Sequence, residues 1–109
     1  MRRPLLALAA LLVLAAGAIA ADEPSFRIEF ADGAITPLEL EVPANTRFRI
    51  ELVNRGSTPV EFESVQLRKE KVIGPGNETV MVIRRLDPGR YDFFDDFHLD
   101  APHAVLIAR

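Results

Sequence analysis

The sequence has no cysteine and no tryptophan, and only two methionines and two histidines in 109 residues. Without cysteine there can be no disulfide staple, no thiolate metal centre and no dithiol redox pair. No Ser/His/Asp nucleophile pattern and no phosphate-cradling glycine loop is present, so ordinary hydrolase and nucleotide chemistry has no foothold. Beyond residue 20, no stretch keeps a helical period of useful length, which leaves strands as the building material. Basic residues are also in deficit, 13 against 16 acidic, for a formal charge of −3. That balance argues against nucleic acid or an anionic membrane surface as partner.

What the sequence does have begins with Arg2 and Arg3, an apolar run from Leu5 to Ile19, and Ala18-Ile19-Ala20. A charged start, an apolar middle and an Ala-x-Ala end predict an export signal over residues 1–20, cleaved after Ala20. A retained anchor wants about 20 apolar residues, and here acidic Asp22 and Glu23 follow at once. Cleavage removes two arginines and leaves 89 residues, 21–109, moving the formal charge from −3 to −5. The expectation is a soluble periplasmic chain of one small domain.

Apolar residues then recur at period two between turn signals, the signature of half-buried strands. The stripes are Phe26, Ile28, Phe30, closed by Asp32-Gly33; Leu38, Leu40, Val42, closed by Pro43-Ala44-Asn45; and Phe48, Ile50, Leu52. Val60 and Phe62 follow, then a short charged strand within Leu67–Ile73, and Val80 and Val82 before Asp87-Pro88-Gly89. Tyr91 and Phe93 precede the last loop, and Val105 and Ile107 follow it. This predicts an all-β, antiparallel Greek-key sandwich of 7–8 strands. Phe26, Ile28, Phe48, Ile50 and Tyr91 are its expected core, Phe93 faces inward, and Phe94 and Phe97 form an exposed apolar collar.

Both histidines fall between the last two strands, where Asp95, Asp96, His98 and His103 crowd one loop. Two imidazoles and a carboxylate suit iron(II), copper(II) or zinc. Glu61 and Glu63 share one strand face opposite Phe62 and are auxiliary ligand candidates, with a solvated strand face as the plain alternative. Glu70 stands among Arg68, Lys69 and Lys71, where neighbouring cations would account for it.

The run from Arg90 to Arg109 resembles the C-terminal ligand loop of the cupredoxins, with Asp95 at the cysteine position, His98 at the histidine and His103 at the methionine. Leu40 to Phe48 and Leu86-Asp87-Pro88-Gly89-Arg90-Tyr91 are similar to two further cupredoxin turns, so the resemblance covers essentially the whole of 21–109. A blue-copper site needs a thiolate, and Asp95 supplies none. Glu61-Phe62-Glu63, followed by a charged segment and Gly74-Pro75-Gly76, is similar to the cupredoxin domain of bacterial periplasmic iron-uptake proteins. That resemblance implies iron (or copper) acquisition with an inner-membrane permease as partner, with metal ligands among Asp95, His98, His103, Glu61 and Glu63. The competing expectation is a metal-free sandwich that binds a protein partner through its acidic rim.

Overall fold

The computed structural model describes residues 23–109. The expected signal over 1–20 and its cleavage point lie outside the described residues. Nine strands follow in order: β1 Ser25–Ala31, β2 Ala34–Thr36, β3 Glu39–Val42, β4 Phe48–Asn54, β5 Val60–Ser64, β6 Lys69–Ile73, β7 Glu78–Ile83, β8 Gly89–Asp95 and β9 Ala104–Ala108. They form two sheets, β2-β1-β4-β7 and β3-β9-β8-β5-β6.

The all-β sandwich is the architecture expected from period two, with two differences. A ninth strand, β2, appears because Asp32 and Gly33 both take positive φ (47° and 101°), closing a tight two-residue hairpin onto β1. The sheets are also mixed: β1 pairs with β4, and β3 with β9, in parallel. The chain leaves the first sheet after β2, runs β3 along the second, and returns for β4, so each parallel pair is joined through the opposite sheet. Period two reports which face a residue takes and carries no information on strand direction.

Phe30, Phe48, Phe62 and Phe93 are fully buried between the sheets with Ile28, Ile50, Leu52 and Leu106. Phe62 stacks on Phe93 at 4.9 Å, joining β5 to β8. Phe26 and Tyr91 only reach the edge of this core: Phe26 meets Phe48 edge-on at 5.7 Å, and the Tyr91 hydroxyl donates to the Asp87 carbonyl at 2.8 Å. The Val80/Val82 stripe is reversed in the structure. Register places Met81 opposite Ile50 and Ile83 opposite Phe48, so Met81 and Ile83 point inward and Val80 is 39% exposed. Leu38 is also exposed, because β3 begins one residue later and lies on a sheet edge.

Candidate functional site

The loop 96–103 lies at the end of the sandwich where β4 stops and β5 starts. Asn54 shapes that end from below. Its buried Nδ2 donates to the carbonyls of Thr58 (2.8 Å) and Ile73 (2.9 Å), and its Oδ1 accepts from Gly56 N. The 55–59 loop then presses on the β1–β2 hairpin so closely that a Cβ at Gly56 would stand 2.7 Å from Asp32 N. Asp32 Oδ1 accepts from the N–H and hydroxyl of both Ser57 and Thr58. Hydrogen bonding to the Thr58 hydroxyl, then to the Ser57 amide, holds the Asp32 carboxyl below its usual range.

Asp95 ends β8 opposite Phe62 and shares its inward face. A buried carboxylate must be satisfied, and this one is. Oδ1 accepts from Glu61 N and Phe97 N, both at 3.0 Å, and Oδ2 pairs with His98 Nδ1 at 2.7 Å. His98 Nε2 lies 3.2 Å from Thr58 Oγ1, which itself lies 2.8 Å from Asp32 Oδ1. Three loops are thus joined by one chain of polar contacts, Asp95 to His98 to Thr58 to Asp32. Beside it is a shallow depression of about 550 Å³, bounded by Gly33, Phe97, His98, Leu99 and Pro102. Phe97 is 49% exposed there, as expected of a collar residue.

The other expected ligands are on the opposite face of the same sheet. Glu63 pairs directly with Glu70 on one side and Phe94 on the other, and Ala104 pairs with Phe93, so His103 falls beside Phe94. The His103 ring stacks on Phe94 at 4.8 Å. A cross-strand row, Glu70, Glu63, Phe94, His103, therefore runs over the outer surface. The sheet brings Asp95 together with His98, and Glu61 together with Glu63, and it separates His103 and the glutamates from the Asp95–His98 pair.

Among the described residues, the one group of three possible metal-binding side chains whose ligand atoms all lie within 4.8 Å of one another is Glu61, Glu63 and Glu70. None of the three is in an ion pair among the described residues. Loss of hydration, then repulsion from Glu70 and the nearby Asp96, raises the Glu61 carboxyl. The same two causes raise Glu63. The cations that would have balanced Glu70 do not reach it. Alternation along β6 turns Lys71 to the other side of the strand, and Arg68 and Lys69, which border a depression with Glu63 and Glu70, form no ion pair with either among the described residues. Sequence reasoning undervalued Glu70 for that reason, and it missed Thr58 and Asp32, whose partners are tens of residues away.

The fold implies copper, and the donors at the usual position do not fit a blue-copper centre. No thiolate is present, the Oδ1 of Asp95 is saturated by two amides, and Oδ2 is committed to the His98 Nδ1 that would otherwise coordinate. His103, at the methionine position, is stacked on the outer surface.

Comparison with solved structures finds the same fold at low identity. A purple cupredoxin from Nitrosopumilus maritimus matches with TM-score 0.59 and 18% identity, over 76% of this chain and 98% of that one. Auracyanin B matches with TM-score 0.68 and 15% identity, over 84% and 93%. The metal-binding domain of the Cu(I)-exporting P-type ATPase CopA of Streptococcus pneumoniae D39, solved with Cu(I), matches with TM-score 0.61 and 16% identity, over 78% and 84%. Among curated proteins, uncharacterized protein RP394 of Rickettsia prowazekii (strain Madrid E) is 35% identical over 81 residues, which are 74% of this chain and 65% of that protein's length. The chain thus spans just under two thirds of that relative. The family model described as the cupredoxin-like domain matches residues 4–108, and the protein belongs to that family.

Proposed function

We propose that the protein is a periplasmic carrier that captures iron (or copper) as cargo and delivers it to an inner-membrane permease. The carrying observation is the group Glu61, Glu63 and Glu70, three carboxylates with ligand atoms within 4.8 Å of one another and no cation paired to them among the described residues. Like charges held together on a sheet cost stability unless something positive joins them. Carboxylate oxygens are hard donors, which favours iron over a soft thiophilic ion. Half-exposed ligands on an outer face also suit an ion that must arrive and leave. The Asp95–His98 pair acts here as the brace that fixes β5 against β8, since Glu61 N is one of its donors. Support for iron delivery comes from the Glu61-Phe62-Glu63 resemblance to periplasmic iron-uptake domains. Support for copper comes from the copper named with a structural neighbour.

The test is calorimetric titration of the chain 21–109 with Fe(II), Cu(II) and Zn(II), under anaerobic conditions for iron. Glu61→Gln/Glu63→Gln is expected to lose binding, while His98→Ala/His103→Ala retains it. The reverse pattern would place the ion in the loop, at the ligands Asp95, His98 and His103. A metal complex of copper(II) on oxygen and nitrogen donors should absorb only weakly in the visible range. Absence of binding to every ion would leave the acidic rim as a protein-docking surface.

A further inference from the structure

We propose that the end of the sandwich opposite the loop 96–103 carries a binding site for a phosphate-bearing anion. A pocket of about 460 Å³ opens there between the two sheets, lined by Arg47, Leu67, Lys69, Val82, Ile83, Arg84, Arg85 and Leu86. Strand direction fixes its location. β4 begins and β7 ends at this pole, where Phe48 pairs with Ile83, and Ser64 pairs with Lys69 where β5 turns into β6.

Four of the eight lining residues are cationic and none is acidic, in a chain whose net charge is −3. Charge of one sign gathered against the overall balance is costly without a counter-ion. Among the described residues, Arg84, Arg85 and Lys69 are in no ion pair, and Arg47 alone has one, its Nε lying 2.8 Å from Glu23 Oε1. Among the other described arginines, Arg27, Arg55 and Arg109 each lie against a glutamate, while Arg49, Arg68 and Arg90 are in no ion pair but do not border this pocket.

The ligand class follows from the donors. Guanidinium groups present planar forks that match oxyanions, and several converging on one cavity suit an ion with more than one negative charge. A tetrahedral phosphate offers oxygens in three directions, which suits a pocket bordered by Arg84, Arg85 and Lys69. Leu67, Val82, Ile83 and Leu86 supply an apolar floor, so an organic body attached to the phosphate has surface to cover. Either a free phosphate compound or a phospholipid headgroup has this chemistry. The site lies at the other pole from Asp95–His98 and shares no residue with Glu61, Glu63 and Glu70, so it stands or falls apart from the metal reading.

The test uses the chain 21–109 with two probes, inorganic pyrophosphate by calorimetry and phosphatidylglycerol vesicles by co-sedimentation. Saturable 1:1 pyrophosphate binding that weakens with added salt, and at least tenfold in Arg84→Gln/Arg85→Gln, identifies a free anion site. Vesicle binding lost in the same variant, with no pyrophosphate binding, identifies a headgroup site. Both side chains are exposed, so the variant should melt with the parent. Binding of neither probe, or binding equal in parent and variant, overturns the proposal.

Discussion

The two outer faces of the sandwich are built on the same pleat and carry charge in opposite ways. On the first sheet Arg27 lies 2.9 Å from Glu29 and 3.4 Å from Glu51, and Arg55 lies 3.1 Å from Glu29. Signs alternate, and a hydrogen bond from Arg27 lowers the Glu29 carboxyl below its usual range. On the second sheet Glu61, Glu63 and Glu70 gather with one sign, and desolvation with mutual repulsion raises Glu61 and Glu63. A solvated strand face of mixed charge is what the first sheet shows. The second departs from it within one molecule, under one fold and one composition, so strand geometry alone does not generate the cluster.

The largest effect is expected at the brace under the second face. Asp95→Ala would leave two part-buried amides and His98 Nδ1 without their acceptor, and should cost about 3 kcal/mol in a denaturant melt. Asp95→Asn, which keeps an acceptor oxygen for the amides, should cost clearly less. Next comes the charge contrast itself. Glu61→Gln/Glu63→Gln should weaken metal binding at least about tenfold, whereas Glu29→Gln/Glu51→Gln on the first face should leave the titration unchanged. Equal losses on both faces would dissolve the contrast.

Smaller effects sharpen it. Glu63→Lys gives the second face the alternating signs of the first, so the metal-free protein should melt higher, by an amount on the order of a degree, and lose its ion. The pH response should differ in sign between the faces. For Glu61 and Glu63 the folded pKa is raised, so their contribution is full below the unfolded carboxylate value and is lost as pH rises through the folded one. For Glu29 the folded pKa is lowered, so its contribution is present above the unfolded value and lost as pH falls through the folded one. At neutral pH the melting temperatures of the double glutamine variants should therefore differ from the parent's in opposite directions, higher for Glu61→Gln/Glu63→Gln and lower for Glu29→Gln/Glu51→Gln, and both differences should shrink in mild acid.

Much of this was legible in the sequence. Phe48, Ile50, Phe62 and Phe93 announce an inward face by spacing alone, and Asp32-Gly33 marks where the first strand ends, though not the short strand that returns from it. Glu61 and Glu63 are legible as a same-face pair for the same reason. Period two cannot say which residue of the next strand stands opposite, so Val80 was given the place that Met81 holds. It also treats a loop as one neighbourhood. His98 and His103 are five apart, yet the first turns in to Asp95 and the second lies out on Phe94, because the strand flanking them alternates at Phe94 and Asp95. Thr58 was illegible because its partner His98 is 40 residues away.

That last separation bears on when the pole assembles. The contacts from Asp95 to Glu61, His98 to Thr58 and Thr58 to Asp32 close loops of 34, 40 and 26 residues. Asp95 to Glu61 needs β8 beside β5 and Thr58 to Asp32 needs β4 beside β1, while His98 to Thr58 ties the two ends together, and each closure carries an entropy cost that the finished core offsets. The pole is therefore the last part of the molecule to order and the first to open. The amides of Ser57, Thr58, Glu61 and Phe97, which point into it, should exchange with solvent as a single cooperative unit, ahead of the strands that carry them.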